Sequence, residues 1–247
     1  MIWSHAYYDT TVWEKILRTI YSETNLIETK QSADTPYVVA ISAVMNMPSI
    51  EAFLWRNYEL PVHTRPLCKY EGSSRYKIWE AVRASGSAPG FFEEFRKDKH
   101  VHQDGGILIN NPTAVAIHEA KLLWPNESIQ CVVSIGSGRY IPPNSFKKET
   151  VPVSATSLKT KIIRLIDSAT DTEMVHRLMR DLLPQNTYFR INPFLTEVGT
   201  IDENRPEKLN QMKSDAKLYL HKNEYKVNKA VEALNRKRKL IQRIDDW

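Results

Sequence analysis

HQDGGILINNPTAVAIHEAKLLWPNESIQCVVSIGSG, residues 102–138, decides the fold class. His102 to Ile109 is strand-like around a glycine pair, and Asn110, Asn111 and Pro112 then open a helical run, TAVAIHEAKLLW. Asn111 is the expected cap and Pro112 the first helical residue, where a proline forfeits only a donor that has no helical partner. Pro125 closes the run. Ile129 to Ile135 follows as a continuous apolar segment, the pattern of a strand buried on both faces. Strand, helix and strand within about 35 residues predict a parallel crossover and hence an α/β fold.

Working towards the N-terminus, Ile78, Trp79 and Val82 mark a helix over 75–85 that runs into a tight loop at Gly86, Pro89 and Gly90. Tyr37–Met45 and Ala52–Tyr58 read as neighbouring strands. Val12, Ile16 and Ile20, with Trp13 and Leu17 beside them, predict a helix over 11–21 capped by Asp9 or Thr10. Towards the C-terminus the pattern is mostly helix from Ser157 to about Leu183, then a short strand TYFRIN, then helix from Glu207 onwards. In that last helix Val227, Val231, Leu234, Ile241 and Ile244 mark an apolar face opposite Lys226, Lys229, Arg236, Lys237, Lys239 and Arg243. The division expected is 1–205 as one domain and 206–247 as an amphipathic basic tail packed on it.

Composition narrows the function classes. With 247 residues, 42% hydrophobic and 26% charged, the chain buries a real core, and collagen, a disordered tail and a disulfide scaffold are excluded. Two cysteines, Cys68 and Cys131, are expected to be buried thiols in a reducing compartment. No run approaches the roughly 18 apolar residues of a membrane span. Residues 206–247 hold 11 Lys and Arg against 6 Asp and Glu, so the whole net charge of +5 belongs to the tail. A solvated basic face explains it, with an anionic lipid surface as the alternative partner. Nucleic acid is not expected, because the cluster lacks interleaved aromatics. No HExxH or EF-hand spacing is present, so no metal or cofactor is implied.

Asp104, Gly105 and Gly106 stand where a strand-like segment meets a capped helix, the place where α/β folds gather sites. A carboxylate there can act as general base, and glycines let other backbone approach closely. Alone this is weak: such a triplet arises by chance in about one chain in twenty of this length. An Asp-Gly turn would explain it. His102, two residues earlier, is expected to fill a surface or hydrogen-bonding role and not a catalytic one.

The ordered series changes that weighing. AVRASGSAPGFF (81–92), HQDGGILINNP (102–112) and SIGSGR (134–139) resemble the patatin-like phospholipase family. WSHAYYD (3–9), SLKTK (157–161), DSATDTE (167–173) and TYFRINP (187–193) extend the likeness nearly end to end, within its calcium-independent phospholipase A2 branch. The resemblance implies a partly parallel sheet flanked by helices with a helical C-terminal extension. It also implies a lipid acyl hydrolase, without a calcium cofactor, acting on phospholipid at a membrane surface. The location implied is intracellular, peripheral on mitochondrial, peroxisomal or endoplasmic-reticulum membrane. By the same resemblance Asp104 is the proton acceptor of a Ser-Asp dyad and Gly105 and Gly106 complete its motif.

The chain departs from the family pattern in two places: it contains no GxSxG nucleophile elbow and no glycine-rich oxyanion loop. Ser137 has glycines directly beside it, and Ser85 and Ser87 lie where the family's small residues wall the site. The missing motifs belong before WSHAYYD, so the 247 residues read as the C-terminal part of a catalytic domain that lacks its N-terminal strands. Expressed alone it is expected to be inactive and poorly soluble; the alternatives are a non-catalytic lipid-surface or partner-binding module, or a truncated gene product without function of its own.

Overall fold

β1 (Val39–Val44) and β2 (Glu51–Arg56) pair antiparallel, from Val39 opposite Arg56 to Val44 opposite Glu51, as their β-branched and apolar composition predicts. The computed structural model describes residues 6–32, 34–140, 172–197 and 199–236. SLKTK, most of DSATDTE, and Lys237, Ile241 and Ile244 lie outside these residues. The chain forms two compact units, one of Met1–Glu127 with Ser157–Thr172 and one of Ser128–Thr156 with Glu173–Trp247.

In the first unit β1 and β2 join β3 (Glu71–Ser73), β4 (Phe95–Lys97) and β5 (His100–Asp104) in a mixed sheet of order β3-β2-β1-β5-β4. β3 runs parallel to β2, and the other pairs are antiparallel. Alternation along the strands sends Val44, Phe53 and Trp55 to the face packed by Leu17 of α1 (Thr10–Tyr21) and Trp79 and Ala84 of α2 (Ile78–Ser85). Ile41, Ala52 and Leu54 point the other way, onto Val115 of α3 (Thr113–Leu123). Helices flank a mixed sheet, which is the α/β class expected.

The details differ in instructive ways. Asp9 caps α1 as predicted, accepting from the backbone N–H of Thr11 at 2.8 Å and Val12 at 3.3 Å. The face turned inward is Trp13, Leu17 and Tyr21, while Val12, Ile16 and Ile20 stay exposed. Two apolar stripes of equal period compete there, and the one bearing aromatic rings has more area to bury. α3 begins at Thr113, one residue later than predicted, so Pro112 and not Asn111 takes the cap position; Asn111, one residue before it, accepts from the Thr113 N–H at 3.3 Å and from its hydroxyl at 2.6 Å.

The parallel crossover expected over residues 102–138 is not formed. Both edges of β5 are taken by antiparallel neighbours, β1 and β4, so no edge is open to β6 (Val132–Ile135). β6 pairs parallel with β8 (Tyr188–Ile191) in the second unit, Val132 opposite Tyr188 and Ile135 opposite Ile191. Nor is β6 buried on both faces: Ser134 is 6% exposed but Ile135 is 74% exposed.

The second unit also pairs β7 (Arg139–Tyr140) with β9 (Phe194–Leu195) and carries α4 (Thr172–Leu182), α5 (Pro206–Lys222) and α6 (Glu224–Leu234). α6 rests on Phe189 of β8 through Ala230 and Ala233, while Val231 and Leu234 remain exposed. Alanine lets the helix approach the strand closely, which a valine face would not. The Gln130 side-chain amide donates to the carbonyls of Ala233 and Arg236 at the end of α6, satisfying groups the helix leaves open. Cys68 and Cys131 are free thiols, half-buried where full burial was expected. No helix among the described residues is long and apolar enough to cross a membrane.

Candidate active site

Asp104 is the last residue of β5, opposite Ser42 in the pairing with β1. There the chain leaves the sheet in a single turn, Gly105–Ile107, and the Asp104 carboxylate caps that turn by accepting the Gly106 N–H at 2.7 Å. This is its one side-chain hydrogen bond among the described residues. Burial pushes the carboxyl above its ordinary value of 3.8, and the Gly106 N–H only partly opposes the shift. A carboxylate with a raised proton affinity and a free second oxygen suits a proton acceptor.

Gly105 is glycine for a steric reason. A Cβ there would lie 2.3 Å from the Ile41 carbonyl oxygen of β1. At Gly106 a Cβ would meet the Asp104 carboxylate at 3.0 Å. The pair therefore brings the turn against the sheet and leaves room for the carboxylate.

The loop after α2 holds Asp104 from the other side. The Asp104 N–H donates to the Ser87 carbonyl at 3.1 Å. Ser87 is itself locked: its hydroxyl accepts from Arg83 Nη1 at 2.6 Å and donates to the Arg83 carbonyl at 2.7 Å. Arg83 is 1% exposed and also donates to the Glu93 carbonyl and to Glu14. Ser87 is thus a fully occupied wall residue and not a nucleophile. Ser137, another lookalike, is exposed beside Gly138, whose φ of 108° requires glycine.

His102 fills a hydrogen-bonding role, as expected, but in the core and not at the surface. It is 1% exposed among Phe53, Trp55 and Phe95, with Nδ1 3.0 Å from the Ser42 hydroxyl. Trp55 Nε1 donates to that hydroxyl at 2.8 Å, which leaves the Ser42 hydrogen to point at Nδ1. Burial lowers the His102 pKa to about 4, with His100 adding to the effect, so the ring is neutral. Ser42 and His102 are no catalytic pair: both are sealed beneath the sheet's aromatic face.

Sequence reasoning missed a second buried network. Arg56 Nε and Nη2 donate to the two Glu119 oxygens at 2.5 and 2.9 Å, and the Tyr58 hydroxyl adds a third bond at 2.9 Å. Burial pushes Glu119 up, but the Arg56 guanidinium with the Tyr58 and Cys68 donors outweighs it and holds the carboxyl below its ordinary 4.5. Cys68, His118 and Glu119 present ligand atoms within 4.8 Å of one another, a spacing suited to a metal ion. Arg56 already neutralises Glu119, and a second cation would meet its positive charge. The cluster is a closed ion pair with a thiol and an imidazole at its edge. Residues 63 apart in sequence carry no local signal of such a pair.

The motif segments also meet one another. Tyr7 and Tyr8 donate their N–H groups to the carbonyls of Gly90 and Phe91, and the same loop reaches Asp104 through Ser87. In the second unit Gly136 N–H donates to Ile191 and Arg139 N–H to Pro193, so SIGSGR lies along TYFRINP. The family profile described as patatin-like phospholipase matches residues 1–117. Calcium-independent phospholipase A2-gamma of Homo sapiens is 43% identical over 249 residues, all of this chain and 31% of that protein. The chain belongs to the patatin-like phospholipase family.

Phospholipase A I of Arabidopsis thaliana is 33% identical over 204 residues, covering 70% of this chain and 15% of that protein. The 85/88 kDa calcium-independent phospholipase A2 of Mus musculus is 25% identical over 260 residues, covering 92% and 31%. The chain spans less than a third of the length of each of these patatin-like relatives.

Proposed function

We propose that this chain carries the base half of a phospholipid acyl hydrolase, with Asp104 as proton acceptor. The carrying observation is the Asp104 turn: a strand-end carboxylate, raised in pKa by burial, oriented through Gly106 and abutted by the locked Ser87 loop. In the mechanism a serine hydroxyl gives its proton to the free Asp104 oxygen as it attacks the acyl carbonyl. The bond to the lysophospholipid oxygen breaks, and Asp104 returns the proton to that oxygen. Asp104 then takes a proton from water, whose attack releases the fatty acid and restores the serine. The names of the relatives support the substrate class and a reaction without calcium.

The serine and its oxyanion donors come from a GxSxG elbow and a glycine-rich loop that these 247 residues do not contain, so this stretch alone does not hydrolyse esters. The membrane surface is reached peripherally, on an intracellular organelle.

The test joins a family GxSxG segment ahead of residue 1 and measures phospholipid hydrolysis together with labelling of the serine by a fluorophosphonate. Asp104→Asn is expected to lower turnover by about four orders of magnitude, by analogy with loss of the aspartate in a subtilisin-type site. Full turnover in Asp104→Asn, or hydrolysis by the 247 residues unaided, refutes the assignment.

A further inference from the structure

The second unit holds a cleft of about 400 Å³ that the hydrolase reading does not use. It is built from the motif segments SIGSGR, DTE and TYFRINP together with α5 and α6. Four cationic side chains line it, Arg139, Arg190, Lys222 and Lys226, against two carboxylates, Glu173 and Asp215.

Both carboxylates are spoken for. Glu173 receives Arg139 at 2.7 Å and the Asn192 amide at 3.3 Å. Asp215 accepts the Thr196 N–H at 2.8 Å and hydroxyl at 2.7 Å, and Gln211 at 2.9 Å. The remaining cations meet neutral groups only among the described residues. Arg190 donates to the Ser134 hydroxyl at 2.9 Å, and Lys226 reaches the Arg190 carbonyl and the Tyr219 hydroxyl. Lys222 has no ion-pair partner among the described residues.

Arg190 is placed with care. It is 7% exposed, yet its Nε, like that of Arg139, is buried with no hydrogen-bond partner. A buried donor left open costs about 1–3 kcal/mol, so both guanidinium groups are held at the cleft with charge that internal bonds do not fully use. Gly136, just beyond β6, leaves room for the guanidinium: a Cβ there would lie 2.8 Å from Arg190 Nη2 and 2.4 Å from Asn192 Oδ1. One wall is apolar and open, with Phe194 49% and Leu218 52% exposed, and Arg139 stacks on the Phe194 ring at 4.3 Å.

We propose that this cleft binds a phosphate group carried on a small organic ester. A surplus of two positive charges matches a phosphate dianion, the guanidinium fork and two lysines supply charge-assisted donors, and Phe194 and Leu218 receive the organic part. The cleft goes beyond the hydrolase reading, since it shares no residue with the Asp104 turn and its binding needs no turnover. Two sources carry this chemistry, a soluble phosphoester and the headgroup of an anionic lipid.

The 247-residue chain is titrated by calorimetry with inorganic phosphate and with glycerol 3-phosphate. Saturable binding is expected, tighter for the ester, weakened about tenfold by Lys226→Gln and again by Lys222→Gln, since one charge-assisted bond is worth about that factor. Lys15→Gln on α1 controls for lost charge in general and leaves binding unchanged. Arg190→Gln is expected to abolish binding; if it fails to fold, the two lysine variants decide alone. Vesicle flotation separates the sources: capture by phosphatidate-containing but not pure phosphatidylcholine vesicles, lost in the lysine double variant, assigns a lipid headgroup. Phosphoester binding with no vesicle preference assigns a soluble ligand. Absence of saturable binding to either phosphate probe, or binding indifferent to both lysines, overturns the proposal.

Discussion

Replacing Gly105 with alanine isolates the steric requirement of the Asp104 turn. The added Cβ would stand 2.3 Å from the Ile41 carbonyl oxygen and 2.8 Å from its carbon, where ordinary contact begins near 3.4 Å. About 1 Å of movement is therefore needed, and the atoms in the way are backbone of β1, the middle strand of the sheet, paired to β2 and β5. They cannot swing aside as a side chain can. Overpacking of this kind costs about 1–3 kcal/mol, a large share of a total of about 5–15. For a chain of this size that lowers the melting temperature by about 2–12 °C. If the turn moves instead, Asp104 is displaced by a comparable distance, and about 1 Å at a reacting group costs on the order of a hundredfold in rate. Gly106→Ala is the contrast: its Cβ meets only the ends of side chains, Asp104 and Asn110, so stability changes little while the carboxylate is disturbed. Denaturant unfolding of the 247-residue chain, and hydrolysis by the GxSxG-bearing form, read the two effects apart. A Gly105→Ala protein with both its unfolding midpoint and its turnover unchanged refutes the reasoning.

Three further outcomes follow from the buried groups. Glu119→Gln leaves the Arg56 charge unpaired where both side chains are nearly inaccessible, and is expected to destabilise by about 3–5 kcal/mol; Arg56→Met with Glu119→Leu recovers most of that in urea unfolding, and a fully stable Glu119→Gln protein sinks the claim. His102 has a folded pKa of about 4 against 6.5 unfolded, so the unfolded state binds more protons between these values and stability is lost as pH falls from 6.5 towards 4, by about 3 kcal/mol; His102→Asn is expected to flatten that slope. Because burial raises Asp104, the acid limb of kcat/KM in the GxSxG-bearing form lies above 3.8, and a limb at or below that value contradicts the role of Asp104 as free base.

The chain shows how far local pattern reaches. α1, the β1–β2 pair, α2, α3 and the TYFRIN strand all follow from period, caps and breakers, because those signals act over a few residues. The crossover failed for the opposite reason. Strand, helix and strand do succeed one another, but which strands pair depends on edges that residues far away in sequence occupy. The same holds for the helix faces: on α6, Ala230 and Ala233 pack because Phe189 comes close, and small residues advertise nothing in a hydropathy pattern.

At the candidate site, Asp104, Gly105 and Gly106 were legible as a triplet within an ordered motif series. That Gly105 must be glycine, through Ile41, and that Ser87 and Arg83 brace the turn were not, since those contacts join separate elements. The Ser42–His102–Trp55 and Arg56–Glu119 networks link positions about 60 apart and leave no mark on neighbouring residues.

By itself, then, the sequence determined the longer helices and the β1–β2 pair, the family and the position of the carboxylate, all of which are written in short stretches of covalent neighbours. Only the tertiary structure decided which edges pair, which faces are buried and how strongly each carboxyl holds its proton. These depend on solvent exclusion and close approach, which arise when distant parts of the chain meet.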